Sequence, residues 1–317
     1  MEEDPSSELK ILLRGVIPER KDEMEEYFAK YSSTISRCQD KDGFVIEAGP
    51  FGILKFTQRS IHQMWLLGFA AIESIYLYAG IIKVLQTVNQ PLSVNTLNNF
   101  IELNESKKIY ENIINFTLKL KREENPSHLN WPENIPAPWN GKPKDTKGAA
   151  AFDLICMSGA YIFLHEIRHI QFCLENNPPS DKHKEELQCD SFAKEMMLSK
   201  ISSYTEKSRE NIHLVRSKRA IGICFALFYM LVLTPRESWS GSASHPSIKK
   251  RIEVLANQLE LSDEDNLWMF MAVLLCSHLL FIEENSFAIK FTTTKELAIS
   301  LVKEIEDASN KAFHRSR

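Results

Sequence analysis

The pentapeptide at 165–169, His-Glu-Ile-Arg-His, constrains this chain most strongly. On an α-helix, His165 and His169 lie one turn apart on the same face, where both imidazoles can reach one metal ion. The apolar segment 154–164 runs directly into the motif and predicts a buried helix that carries it. Zinc takes ligands of this kind, and Glu166, beside the first histidine, can accept a proton from water.

A second helix is predicted to supply a further metal ligand. Asparagines and prolines in the segment 176–181 end the first helix, and Asp181 or the serine before it can cap the next one. On that second helix Glu186 and Asp190 lie one turn apart. We therefore expect Glu186 to be the third ligand and Asp190 to accept the free ring N–H of a ligand histidine, His165 in our interpretation.

Three neighbouring side chains are alternatives within this ligand set. Glu185 is a rival of Glu186, but only Glu186 has an aspartate one turn later. Cys189 is close enough to Glu186 along the helix to offer a thiolate, although a small buried thiol is the more ordinary interpretation. His183 lies in the connection between two lysines and is expected to be solvated.

Three elements in this order resemble the gluzincin metallopeptidases. The segments 165–169 and 186–193, the latter of the form Glu-x-x-Cys-Asp-x-x-Ala, are similar to the paired helices of that group. The segment 244–252 is similar to the His-Pro-x-x-x-x-Arg-Ile element that follows them in related peptidases. We expect His245 to donate a hydrogen bond to the developing oxyanion, and Arg251 to orient His245 or to bind the peptide backbone.

Within this group, the chain resembles the Lit-type phage-exclusion peptidases. The shared order is a Trp- and Pro-rich stretch at 131–138, then 165–169, then 186–193, then His245 followed by proline. The resemblance implies a latent zinc endopeptidase that cuts elongation factor Tu when a phage polypeptide activates it, in an abortive response to infection. Two other interpretations are an inactive or regulatory zinc-peptidase-fold protein that senses or binds a partner, and a regulatory peptidase that cleaves a repressor.

Composition and charge limit which partners and which cellular compartment the sequence predicts. A net charge of −4 argues against a general nucleic-acid-binding surface. Six scattered cysteines without paired spacing, and an acidic rather than basic start at 1–5, predict a reducing cytoplasm and no signal peptide. The apolar runs 220–233 and 267–282 fall short of the ~20 residues of a spanning helix, so no membrane span is expected.

The predicted fold is mainly α with a small β-sheet (α+β), a zincin-like metallopeptidase core in which a motif helix packs against a ligand helix. Charged helix is expected up to about residue 40, and strand-like runs at 44–46 and 52–56 predict a hairpin. The segment 61–84 predicts a long apolar helix, and 96–121 predicts a weaker one.

Two organisations of the chain are compatible with this pattern. One is a single metallopeptidase domain over 1–317. The other divides it into an N-terminal lobe at 1–123 and a metal-binding helical core at 124–317. The Pro- and Trp-rich loop at 124–147 is interpreted as a cleft wall, a lid or a docking surface, or as a structural wrap with buried tryptophans.

Overall fold

The computed structural model describes residues 5–31, 35–38, 43–49, 52–101, 105–123, 129–282 and 287–315. The helices of this part are α1 (Pro5–Val16), α2 (Lys21–Tyr31), α3 (Gln58–Thr87), α4 (Val94–Ile101), α5 (Glu105–Arg122), α6 (Thr146–Leu174), α7 (Lys182–Leu198), α8 (Ile201–Ser208), α9 (Ile212–Leu233), α10 (Ile248–Gln258), α11 (Asn266–Phe281) and α12 (Thr294–Arg315). The strands are β1 (Ile35–Cys38), β2 (Ile46–Gly49), β3 (Ile53–Thr57), β4 (Leu92–Ser93) and β5 (Ala288–Ile289). The prediction of a mainly helical fold with a small sheet is confirmed.

Helix α6 carries the histidine motif through the centre of the fold. Asp145 caps its first turn, because the side chain accepts a hydrogen bond from Gly148 N at 2.8 Å. Helices α1, α3, α7 and α9 all pack against α6. A helix enclosed in this way is apolar around most of its circumference, which explains the unbroken hydrophobic run before the motif. The predicted buried helix is therefore confirmed.

Close packing between α6 and α9 depends on one glycine. A Cβ atom added to Gly222 would lie 2.4 Å from Met157 Cβ and 3.3 Å from the backbone carbon of the same residue. Two helix backbones approach this closely only where one of them lacks a side chain. The C-terminal half of α9 is thereby brought beside the motif.

The three-stranded sheet lies next to α6, with the strand order β1-β3-β2. Strands β2 and β3 form the predicted hairpin, in which Ile46 is opposite Phe56 and Gly49 is opposite Ile53. The prediction of charged helix up to about residue 40 is confirmed for α1 and α2 and is wrong at 35–38, because β1 pairs in parallel with β3 through Ile35 and Leu54. This long-range pairing overrides the local helical character that precedes it.

Two helices correct the expectation that no apolar run is long enough to cross a membrane. By length and composition alone, α3 and α6 are both long and apolar enough to do so. However, 72% of the apolar window of α3 and 61% of that of α6 are buried inside the protein. Buried core helices of a soluble protein have this same composition. The predicted helix at 96–121 is also corrected, since α4 and α5 share this segment.

The Pro- and Trp-rich loop is described from residue 129 onward, and its two tryptophans differ in their exposure to solvent. Trp131 packs edge-on against Phe116, with ring centroids 6.0 Å apart, and donates its Nε1–H to Ile135 O at 2.9 Å. Trp139 packs against Trp131 at 5.3 Å but remains 66% exposed. The loop therefore keeps one large aromatic surface in solvent, and its role stays a prediction, as does the division of the chain into domains.

Candidate active site

Helices α6 and α7 carry most of the side chains of the site on facing surfaces. Asp181 caps α7, accepting hydrogen bonds from the backbone N–H groups of His183 and Lys184 at 2.8 and 3.3 Å. Of the two caps considered from the sequence, the structure therefore uses Asp181. The short connection between α6 and α7 leaves the first turns of α7 opposite the motif turn of α6.

The two motif histidines and Glu186 form a compact triangle. His165 Nε2 and His169 Nε2 lie 3.2 Å apart. Glu186 Oε2 is 3.4 Å from His165 Nε2, and Glu186 Oε1 is 3.3 Å from His169 Nε2. Ligands bound at roughly 2.0–2.1 Å to a tetrahedral zinc ion lie about 3.3–3.4 Å from one another. The spacing of the two imidazoles is close to this value, and each of them lies at a similar distance from one oxygen of the Glu186 carboxylate.

The second nitrogen of each imidazole is held by a carboxylate on α7. His165 Nδ1 lies 3.0 Å from Asp190 Oδ1, and His169 Nδ1 lies 2.9 Å from Glu185 Oε1. Carboxylates in this position fix the tautomer and the ring orientation of a metal-binding histidine. Glu185, considered from the sequence only as a rival ligand, thus orients His169 instead. The adjacent pair Glu185 and Glu186 faces both histidines because α7 begins directly opposite them.

Asp190 is the junction of a buried network that sequence reasoning described only in part. It is 1% exposed and accepts hydrogen bonds from Tyr161 Oη at 2.7 Å and from Arg251 Nε at 2.8 Å, with a second bond from Arg251 Nη2. Burial would raise the pKa of Asp190, but the Arg251 guanidinium and the contact with His165 hold it well below its usual range.

Arg251 was expected either to orient His245 or to bind the peptide backbone, and its side chain contacts Asp190 rather than His245. Its guanidinium is buried against Asp190, and Nη1 lies 3.8 Å from Glu186 Oε2. It also donates to Met230 Sδ at 3.2 Å. A guanidinium can donate two parallel hydrogen bonds, and the two oxygens of a carboxylate can accept both of them. This explains the pairing of Arg251 with Asp190.

The charges within the triangle stabilise one another. Burial would raise the pKa of Glu186, but its bonds to His165 and His169 hold it well below its usual range. Burial would lower the pKa of His165, but hydrogen bonds to Asp190 and Glu186 raise it to about 9. The carboxylates around the two imidazoles thus favour their protonated forms, while each imidazole disfavours a proton on the other.

Cys189 is a second candidate for the third metal ligand. The ligand atoms of His165, His169 and Cys189 all lie within 4.8 Å of one another, so these three side chains could hold a metal ion. Cys189 is fully buried, and burial together with the carboxylate of Glu186 raises the pKa of its thiol well above the usual range. His183 is directed elsewhere, because its Nε2 lies 2.8 Å from Ser242 O.

Glu166 is buried beside the edge strand β2. Its Oε2 accepts a hydrogen bond from Ala48 N at 2.7 Å. Burial raises the pKa of Glu166, in spite of the nearby histidines and of this hydrogen bond. Because Val45 O accepts from Thr57 N on β3, the N–H of Ala48 points to the opposite edge of β2, toward α6. This edge of β2, with which no other described strand pairs, therefore faces the motif.

His245 lies at the mouth of the site on the loop that precedes α10. Its side chain is 56% exposed, Nε2 is 3.6 Å from Glu186 Oε1, and Nδ1 is 2.8 Å from Ser244 Oγ. Gly241 allows the tight turn of this loop: its φ is 94°, and an added Cβ would lie 2.9 Å from His245 O. The structure thus brings His245 to the edge of the triangle without burying it.

Comparison with known proteins identifies the family. A sequence model of the family described as Peptidase U49 matches residues 54–271. The chain belongs to the peptidase U49 family. The matched segment includes 165–169, 186–193 and 244–252. No curated protein and no solved structure matches the chain. Membership supports a peptidase function for this protein.

A cleft of about 870 Å³ opens over this cluster. One side is the segment 43–49, which contains β2, and the other is the C-terminal part of α9, which contributes Ala226, Leu227, Met230 and Leu233. Lys121, from the end of α5, also lines the cleft. Sequence reasoning missed Lys121, since nothing in the pattern of α5 distinguishes it from the other lysines there.

Proposed function

We propose that this peptidase U49 protein is a zinc-dependent endopeptidase whose metal ligands are His165, His169 and Glu186. The single observation that carries the proposal is the triangle of their nitrogen and oxygen atoms, 3.2–3.4 Å apart. Two imidazoles and one carboxylate, with a fourth position left for water, are the ligand set of zinc peptidases. Glu186 is preferred over Cys189 because its carboxylate is already ionised, whereas the thiol would have to lose a proton.

Zinc at this position would lower the pKa of a water molecule toward neutrality and polarise a peptide carbonyl. Glu166 is proposed to accept a proton from the attacking water and to pass it to the leaving amine. Its burial, which raises its pKa, suits a group that must both take and return a proton. Asp190 and Glu185 keep the two imidazoles oriented.

His245 is proposed to donate a hydrogen bond to the oxyanion that develops on the scissile carbonyl. Its exposure and its 3.6 Å distance from Glu186 Oε1 support this position beside the reacting group. Arg251 is a positioning residue in this proposal, acting through Asp190 rather than on the substrate. The free edge of β2 is proposed to pair with the peptide backbone, as exposed sheet edges do in other peptide-binding proteins.

The test is a comparison of the parent protein with Glu166→Gln. We expect both to contain one zinc per chain and only the parent to cut polypeptides. Zinc would be measured by inductively coupled plasma mass spectrometry, and new N-termini would be labelled in lysates of uninfected and of phage-infected bacteria. Equal numbers of new termini with both proteins would refute the enzyme proposal. Capture of the same polypeptide by both, without any cut product, would instead favour a binding or sensing protein.

For the biological setting, we propose a cytoplasmic protein substrate, such as elongation factor Tu, cut during a phage-exclusion response. The resemblance to the Lit-type peptidases supports this finer proposal, and a phage polypeptide would then be the activator. The same terminus labelling, repeated with and without phage infection, tests it. Cleavage of elongation factor Tu only in infected cells that carry the parent protein is the expected outcome.

A further inference from the structure

Lys121 occupies a distinctive place in the cleft. It is the penultimate residue of α5, and its Nζ donates a hydrogen bond to the main-chain oxygen of Leu233, the last residue of α9. Its aliphatic stem lies beside Gly43, where an added Cβ would be 3.8 Å from Lys121 Cε. The side chain therefore bridges the two walls of the cleft, from the segment that leads into β2 to the end of α9.

The other cations that line the cleft are already engaged. Arg251 is bonded to Asp190, and Lys182 donates to Glu185 Oε2 at 2.7 Å. Within the described ranges, no carboxylate lies within ion-pair distance of Lys121. An ammonium group has three N–H donors, and Leu233 O uses only one of them. The amine thus retains donors and charge that no described acidic group satisfies.

The surroundings of Lys121 favour an anionic partner. Burial beside the end of α9 removes water from the half-buried amine and lowers the pKa of Lys121, and the adjacent Arg122 adds to this. A carboxylate that arrives at such an amine restores its charged form and gains a charge-assisted hydrogen bond. The hydrogen bond to Leu233 O by itself is consistent with a purely structural role, in which Lys121 caps the C-terminus of α9. That role does not explain why the amine also lines the cleft.

We propose that Lys121 is a specificity residue that binds a carboxylate of the peptide substrate at the end of the cleft away from the metal cluster. The inference rests on the proposed function, because it takes the cleft to hold a peptide. Gly43 precedes Ala48, the contact of Glu166, by five positions; the chain bends at Gly43, where φ is 41°, and β2 begins only at Ile46, so the two residues lie at most roughly 17 Å apart. The proposal places the carboxylate on a substrate residue away from the scissile bond, or at the end of the substrate chain.

The test uses zinc-loaded Glu166→Gln protein, which would bind peptides without cutting them, and a synthetic library of random peptides. One arm has amidated C-termini and the other has free C-termini, so that a side-chain carboxylate is distinguished from a terminal one. We expect a preference of about fivefold or more, the weight of one partly buried charged hydrogen bond. A side-chain carboxylate would enrich acidic peptides in the amidated arm, and a terminal carboxylate would make retention of the free arm exceed that of the amidated arm. Lys121→Met, added to the same protein, should abolish this preference.

Three further variants separate recognition from a structural effect. Lys121→Arg keeps the charge and the bond to Leu233 O, so it should keep the preference. Lys121→Glu should reverse it toward basic peptides, which a role limited to capping α9 would not do. Lys119→Met, an exposed change of the same kind two residues earlier on α5, should leave the preference intact. Thermal unfolding of each variant checks that α9 remains folded.

The outcomes also separate this inference from the proposed function. If the preference for a peptide carboxylate depends on Lys121 but the parent protein hydrolyses no peptide, the subsite is supported and the peptidase function is refuted. If the parent protein hydrolyses peptides but the binding assay shows no preference for a carboxylate, the subsite alone is overturned. The same holds if the preference survives Lys121→Met. Retention of no peptide in either arm overturns the subsite as well.

Discussion

Replacement of Arg251 by methionine tests the buried network most directly. The guanidinium and its partner Asp190 are 4% and 1% exposed, and the two are joined by two hydrogen bonds. Removal of one partner of a buried ion pair costs about 3–5 kcal/mol, because the other charge is left without compensation. For a chain of 317 residues, an unfolding entropy of about 2 cal/mol/K per residue converts this cost into a fall in Tm of roughly 4–8 °C.

The assay is urea and thermal unfolding of the zinc-free protein at neutral pH, so that the readout does not depend on activity. Asp190→Asn should show a similar loss, and the double variant should be less destabilised than the two single losses predict together, by about 1–3 kcal/mol. The matched control is Asp153→Asn, which breaks the exposed ion pair between Asp153 on α6 and Lys142 in the preceding loop and should cost at most about 1 kcal/mol. The reasoning would be refuted if Arg251→Met lowered the free energy of unfolding by less than about 1 kcal/mol and if the effects of Arg251→Met and Asp190→Asn were strictly additive in the double variant.

Three shorter predictions address packing, pH and metal. Gly222→Ala should destabilise the protein by about 1–3 kcal/mol in urea unfolding, since its Cβ would meet Met157, whereas Gly80→Ala, with open space around it on α3, should be neutral or stabilising. Burial opposes protonation of His165, but its carboxylate partners raise the pKa of this residue from 6.5 to about 9, so their contribution to stability is complete below about pH 6.5 and is lost as the pH rises through about 9. In urea unfolding of the zinc-free protein, the free energy of unfolding should fall by up to about 3 kcal/mol over this window, and a flat profile would contradict the prediction. Cys189→Ala should retain one zinc per chain while Glu186→Gln loses it, and the opposite result by elemental analysis would make the thiol the ligand.

The local part of the site was predictable because helical periodicity specifies it. The spacing of His165 and His169, and that of Glu186 and Asp190, places each pair on one helix face whatever the rest of the chain does. Tyr161, four residues before His165, lies on that same face, so the sequence contained a signal for its contact with Asp190 that we did not use.

The remaining contacts depend on pairings that no local pattern encodes. Arg251 and Asp190 are separated by 61 residues, and nothing in α10 indicates which carboxylate the arginine meets. Lys121 contacts the end of α9 across 112 residues for the same reason. The strand β1 is short and lacks a clear alternation of apolar and polar residues, so only its pairing with β3 defines it.

The contacts of Asp190 also explain the spacing of the third sequence element. Asp190 on α7 binds Tyr161 and His165 of α6 on one side and Arg251 of α10 on the other, so a single carboxylate joins three helices. Because Arg251 is anchored in the interior, the start of α10 is fixed relative to the histidines. The loop that precedes α10 is fixed with it, and His245 is therefore held at the mouth of the cleft although more than half of its side chain is exposed. The separation between an exposed histidine and a buried arginine thus has a structural cause: the arginine sets the position of the helix, and the helix sets the position of the histidine.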